Sequence, residues 1–161
     1  MKFVSRLLSM HLKRYPAMQL DDIYKLLHQA ALWRFVYVAE SQAQAEDELA
    51  AALTETRRHM VHARSVHNPP DFVVPDARVN PWNDPKVSHE DGARYSLAHS
   101  SIYGTADRVA EQLAELGDAG IHHVLCQMST GYLSHAQVMA STRRFGEQVI
   151  PRFAKEAPAW A

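Results

Sequence analysis

The sequence predicts an α/β fold, in which strands and helices alternate along the chain. Three short apolar runs rich in β-branched and aromatic residues are each followed by a segment with helical periodicity. Each of these helical segments begins with a residue that commonly caps helices, namely Ser41, Thr105 or Ser134. Strands that alternate with helices in this way run parallel and are joined by right-handed crossovers.

The composition is that of one globular domain and excludes several classes of function. The chain has 161 residues, of which 47% are hydrophobic and 22% charged, so a sizeable core is expected. A net charge of −1 gives no field that favours nucleic acid, and no apolar run is long enough to span a membrane. The single cysteine, Cys126, excludes a disulfide framework and is compatible with the cytoplasmic location that we expect.

Residues 1–33 form an N-terminal segment of unclear origin. Its first 16 residues carry several basic side chains, show no clear period and lack the continuous apolar run of a signal peptide. Residues 20–32 predict a helix, because their apolar residues recur on one face. These apolar residues are Leu20, Ile23, Tyr24, Leu27 and Ala31.

Residues 35–39 predict the first strand, since a continuous apolar run suits a strand buried on both faces. Ser41 and Gln44 form a capping box, and the helix that they start is expected to end near Arg64. Residues 66–99 then hold five of the eight prolines. A helix is unexpected there, so we predict a long functional or mobile loop.

Residues 100–103 predict the second strand, and Gly104 allows a sharp turn into a helix capped by Thr105. Gly117 is expected to end that helix in a left-handed conformation. Residues 121–128 predict the third strand, and Ser134 begins a final helix that extends to about residue 153. Three parallel strands leave two open edges.

The segment from residue 34 to residue 153 resembles the C-terminal part of the luciferase-like monooxygenases, which use flavin or the deazaflavin F420. That family has a Gly-Thr-Pro turn after a strand, a helix, an Ala-Gly turn into the next strand, and a final helix ending on Pro-Arg-Phe. The matching pieces are residues 104–106, 109–113, 119–124 and 150–153, together with the strand and serine at 34–41. Ala106 replaces the usual proline, which is favoured but not required at the start of a helix.

The resemblance implies a fold and a reaction. The fold would be a partial TIM-type (β/α)₈ barrel containing about the last three βα units, with residues 34–161 as the luciferase-like part. The missing strands would come from a second copy in a homo-oligomer. The reaction would be the O₂-dependent oxidation of a small organic substrate with reduced FMN, with F420 as the alternative cofactor and with no metal.

The same resemblance places the site on the loops that follow the strands. Gly104 and Thr105 offer backbone amides that suit the phosphate of a cofactor. Trp82 and Tyr132 are candidate aromatic contacts to the flavin or the substrate, and no catalytic residue is assigned. The expected substrate pocket consists of Gln127, Met128, Ser129, Thr130 and Tyr132.

Two other functions remain open. The chain is alternatively a non-catalytic α/β module whose open sheet edges serve oligomerisation. It is alternatively a metal hydrolase, because His59 and His62 share a helix face and could bind Zn²⁺ together with His67 and Asp71.

Overall fold

A computed structural model of the chain describes residues 31–69, 71–74 and 79–154. The strands are β1 (Ala31–Val38), β2 (Ser101–Gly104) and β3 (His123–Gln127). The helices are α1 (Gln42–His67), α2 (His89–Ser100), α3 (Ala106–Asp118), α4 (His135–Arg144) and α5 (Ile150–Phe153). A π-helical turn, Phe145–Val149, joins α4 to α5.

The predicted α/β class is confirmed, and the strands form one parallel sheet in the order β2-β1-β3. Tyr37 is paired with Tyr103 of β2, and Trp33 is paired with Leu125 of β3. Consecutive units of a (β/α)₈ barrel would instead place β2 in the centre, between β1 and β3. The order of the strands therefore differs from that expectation, and the sheet is open within the described residues.

Alternate side chains of β1 point to opposite faces of the sheet and seed two separate cores. Phe35, Tyr37 and Ala39 pack with α1 and α2 on one face. Val36 and Val38 pack with α3 and the C-terminal helices on the other face. The sheet is thus the middle of three layers, which explains why β1 reads as a continuous apolar run.

The first predicted strand begins earlier than expected. Ala31 and Leu32, which were expected to end a helix, lie in β1, where Ala31 is paired with His123 of β3. The pairing with β3 overrides the helical period of these two residues. The rest of the predicted helix, residues 20–30, lies outside the described residues.

The predicted helix after the first strand is confirmed as α1, although its cap differs in detail. The Ser41 hydroxyl accepts a hydrogen bond from the Gln44 amide at 3.1 Å. The Gln44 side chain accepts from the amide of Glu40, at 3.2 Å, rather than from that of Ser41. The helix continues one turn beyond Arg64 to His67.

Helix α2 lies inside the segment that was predicted to be a loop, so that prediction is wrong for residues 89–99. The prolines end at Pro85, and Ser88 then caps α2 by accepting from the Asp91 amide at 3.0 Å. Glu90 and Asp91 in the first turn favour the positive end of the helix dipole. The high proline content of the segment thus describes only its first part.

The buried side chain of Arg57 in α1 orders the connection before α2. Its guanidinium donates to the carbonyl oxygens of Pro81, Trp82, Asp84 and Ser88, at 2.6–3.2 Å. Backbone carbonyls that lie away from water need such donors. Arg57 therefore makes most of the hydrogen bonds that hold the chain from Pro81 to Ser88 against α1, and Arg64 adds one to the Asn83 side chain at 3.0 Å.

Helix α3 ends one turn later than predicted. It continues to Asp118, and Gly120, rather than Gly117, adopts the left-handed conformation with φ +86°. The Ile121 amide donates to the Leu116 carbonyl at 2.9 Å, which is the bond that closes a Schellman motif. The last predicted helix begins at Ser134 as expected, and Ser134 forms a capping box with Gln137.

Candidate functional site

The sheet topology opens a crevice at the carboxyl ends of β1 and β2. The loop after β1 leads to α1 on one face, whereas the loop after β2 leads to α3 on the opposite face. Neighbouring loops that diverge in this way create the usual ligand position of open α/β sheets. A pocket of about 380 Å³ lies there. It is lined by Ala39, Glu40, Thr105, Ala106, Asp107, Arg144, Gln148 and Arg152.

Gly104 and Thr105 form the turn that brings the N-terminus of α3 to this crevice. Gly104 has φ +138°, and a Cβ atom there would lie 2.2 Å from the Gln42 side-chain oxygen, so only glycine fits. The Thr105 hydroxyl accepts from the Arg108 amide at 3.3 Å. The amides of Ala106 and Asp107, the first two residues of α3, have no intrahelical acceptor and belong to residues that line the pocket.

Two arginines of the C-terminal helices complete the crevice, and the sequence analysis missed both. Arg144 pairs with Glu40, and Arg152 pairs with Asp107. Both carboxylates are about three-quarters exposed, so these ion pairs contribute little stability and can open. The only signal in the sequence is the spacing of eight residues, which places both guanidinium groups near one side of the last helix.

A hydrogen-bonded pair behind Arg144 fixes the end of β1. The phenol of Tyr37, which is 2% exposed, donates to Glu48. The side-chain amide of Gln44 donates to the same carboxylate at 3.2 Å. Burial raises the pKa of Tyr37, and the contact with Glu48 raises it further. Burial alone would raise the pKa of Glu48, but hydrogen bonds from Tyr37, Gln44 and Gln137 outweigh it and lower that pKa. At neutral pH the phenol is therefore protonated and the carboxylate charged.

Helix α4 is held against the end of β1 by a buried serine. The amide of Val38 donates to the hydroxyl of Ser141 at 2.8 Å, and Ser141 is fully buried. This hydroxyl replaces the strand neighbour that β3, which ends earlier, does not provide. The bond fixes the helix that carries Arg144.

An apolar groove of about 1140 Å³ adjoins the crevice, since Asp107 and Arg152 line both. The groove lies between α3 and the C-terminal helices, and its walls include Leu113, Phe145 and Phe153. Val124 and Cys126 of β3 also line it. Burial raises the pKa of the Cys126 thiol, so this group is a neutral apolar contact at physiological pH.

The residues predicted to line a substrate pocket do not reach the crevice. Met128 packs against the core on the α3 side, and Thr130 is 3% exposed. The Tyr132 ring stacks on His59 of α1, with the ring centroids 4.9 Å apart. The Gln127 side chain donates to the Ser129 carbonyl at 3.1 Å. The loop after β3 thus passes over to α1, away from the N-terminus of α3.

The structure does not bring the predicted aromatic contact Trp82 to the crevice, nor the predicted zinc ligands together. Trp82 packs against the core beneath α1, with its ring 6.4 Å from that of Phe35. His59 and His62 line a groove of about 410 Å³ with His89, but neither His67 nor Asp71 lines it. Among the described residues, no three histidine, cysteine or acidic side chains lie so as to hold a metal ion.

No helix within residues 31–69, 71–74 and 79–154 combines the length and apolarity needed to cross a membrane. The chain matches no protein-family model, no curated protein and no solved structure.

Proposed function

We propose that the chain is a luciferase-like, flavin-dependent monooxygenase, in which the crevice at the ends of β1 and β2 binds the phosphate of reduced FMN. One observation carries the proposal: the N-terminus of α3, Arg144 and Arg152 line the same pocket. The resemblance of residues 34–153 to the luciferase-like enzymes supports the assignment of this phosphate to a flavin. The reaction is the O₂-dependent oxidation of a small organic substrate.

The donors of the crevice fit a phosphate group. Helix N-terminal amides and guanidinium groups are the commonest phosphate ligands in proteins, and an arginine can bind two phosphate oxygens at once. Glu40 and Asp107 now pair with the two arginines, so a phosphate would exchange for these exposed carboxylates. The Tyr37–Glu48 pair and the Ser141 bond hold the surrounding backbone in place during that exchange.

The apolar groove supplies the second half of the binding site. Its volume of about 1140 Å³ exceeds the usual upper size of small-molecule pockets, about 1,000 Å³, and its walls are mainly apolar. Because Asp107 and Arg152 line both pockets, an FMN whose phosphate lies at Arg152 would place its ring in the groove. The flavin supplies the redox chemistry, and the chain binds it, orients it and excludes water. F420 also carries a phosphate and remains the alternative cofactor.

The proposal is tested by titrating FMN into the purified chain and following the flavin fluorescence. We expect saturable binding in the micromolar range, and we expect Arg152→Ala to weaken it by about tenfold, because a charge-assisted hydrogen bond is lost. Arg143→Ala is the matched control, since Arg143, at the end of the neighbouring helix α4, is an exposed arginine that does not line the crevice. Equal affinities of the two variants would reject the crevice as the phosphate site.

The second candidate function, a non-catalytic module for oligomerisation, is favoured by the outer edge of β3. Leu125 in the middle of this strand is 58% exposed. A folded chain that binds no flavin but forms a stable oligomer would favour this function over the first.

A further inference from the structure

We propose that the outer edge of β3 pairs with β3 of a second copy of this chain, antiparallel and about a two-fold axis. The interface would join the two three-stranded sheets into one. This inference concerns assembly and does not depend on flavin binding.

On the face of the sheet that packs against α1, large apolar side chains are exposed beside this edge. Leu125 is 58% exposed and Trp33 is 44% exposed. The two residues are register partners across β1 and β3, so they form one continuous apolar strip on the same face of the sheet. Trp33 also contacts the Phe35 ring, at a centroid distance of 4.5 Å, which connects the strip to the core beneath α1. A surface of this kind is characteristic of protein–protein contacts.

The opposite face of β3 is apolar as well. Val124 and Cys126 line the groove beside α3 and are only partly covered. Both faces of β3 are thus apolar up to its outer edge. A neighbouring strand with apolar faces of its own would cover them. The inner edge of β3 pairs with β1, and within the described ranges no strand pairs with its outer edge.

The charge pattern selects a second copy as the occupant. No residue from 122 to 128 carries a formal charge when histidine is neutral, so two copies of this strand approach without like-charge repulsion. Edge strands that remain unpaired usually carry a lysine, a proline or a bulge that prevents such pairing, and β3 has none of these. An uncharged apolar edge is complementary to itself.

Two-fold symmetry fixes the relative direction of the two strands, and the position of the axis then sets their register. A closed dimer uses the same surface on both copies, so the two β3 strands must run antiparallel. With the axis at Leu125, this residue lies opposite its own copy, and Val124 lies opposite Cys126. His123 then lies opposite Gln127. The apolar strip of Leu125 and Trp33 from each copy becomes continuous across the axis.

The first test is the molar mass of the full chain, measured by light scattering across a concentration series. We expect a dimer, and we expect Leu125→Lys to raise its dissociation constant by about tenfold or more, because two lysines would face each other at the axis. Val66→Lys is the control, since Val66 is similarly exposed (60%) but lies on α1, away from the sheet edge. A wild-type monomer, or a dimer unaffected by Leu125→Lys, would overturn the proposal.

The second test examines the register by disulfide formation in a Cys126→Ser background. Leu125→Cys should cross-link rapidly under mild oxidation, since directly opposite residues of antiparallel strands have Cβ atoms close enough for a disulfide. His123→Cys is the control, because His123 faces Gln127 and lies several residues from its own copy. Cross-linking of His123→Cys as fast as that of Leu125→Cys would contradict the proposed pairing.

Discussion

The free edges of the two outer strands, β2 and β3, present different groups. On β2, the Gly104 carbonyl points inward to the Ala39 amide, so the carbonyl of Tyr103 points outward. The Gln112 side chain of α3 donates to that outward carbonyl at 2.9 Å. A side chain of the same chain therefore covers this carbonyl at the β2 edge.

On β3, the corresponding edge exposes apolar surface instead. Its central residue, Leu125, is 58% exposed, whereas Ile102 in β2 is 4% exposed. The β2 side also holds the crevice with Arg144 and Arg152. The two proposals use this difference, since they place ligand binding beside β2 and assembly at β3.

The largest expected effect concerns Arg57, the buried residue that anchors the connection before α2. Arg57→Met would leave the carbonyls of the 81–88 connection without donors, and we expect a loss of about 3 kcal/mol or more in the free energy of unfolding. Urea unfolding measures it. Arg58→Met is the control, since Arg58 is half exposed and makes only surface ion pairs. Similar losses for the two variants would show that Arg57 is not the anchor.

The next effect compares one valine on each side of the sheet. Val109 of α3 is fully buried behind β2, whereas Val124 of β3 is only partly buried. We expect Val109→Ala to lower the free energy of unfolding by about 2 kcal/mol, and Val124→Ala by less than about 1 kcal/mol in the monomer. Chemical unfolding at low protein concentration makes the comparison. A larger loss at Val124 would mean that β3 is covered within one chain.

A smaller effect is expected at the β2 edge itself. Gln112→Ala removes the donor to the outward Tyr103 carbonyl, and we expect a loss of about 1 kcal/mol, the value of one hydrogen bond. Glu111→Ala is the adjacent control, because Glu111 forms only an exposed ion pair with Arg108. Equal thermal stability of both variants and the wild type would show that the Gln112 hydrogen bond does not stabilise the β2 edge.

The smallest effect is a dependence of stability on pH through Glu48. Its pKa is lowered in the folded state, so its contribution to stability is complete above its ordinary pKa, about 4.3. That contribution is lost as the pH falls through the lowered value. Glu48→Gln should therefore reduce the loss of stability in acid, as measured by thermal unfolding between neutral and acidic pH. An unchanged acid profile would show that the Tyr37–Glu48 pair does not govern it.

The sequence predicts the local features of this fold more fully than its global ones. Ser41, Thr105 and Ser134 cap helices where expected, because a cap depends only on neighbouring residues. The strand order depends on which strands pair, and no local pattern encodes it. Helix α2 was missed because proline content was averaged over a segment whose prolines stop at Pro85.

In the candidate site, too, local features were predicted and long-range ones were not. Thr105 was predicted at a phosphate-binding turn, and it lines the crevice. Arg144 and Arg152 were missed because packing of the last helix against β1, through Ser141, brings them to that turn. The predicted substrate residues at 127–132 were grouped by sequence proximity, but the loop that carries Tyr132 crosses to His59.

The most direct test of the proposed function compares FMN with riboflavin, which differ only in the phosphate. The crevice predicts that the chain binds FMN at least about tenfold more tightly than riboflavin, and that Arg152→Ala removes most of this difference. Equal binding of the two flavins by the folded wild-type chain would contradict a phosphate site at the ends of β1 and β2.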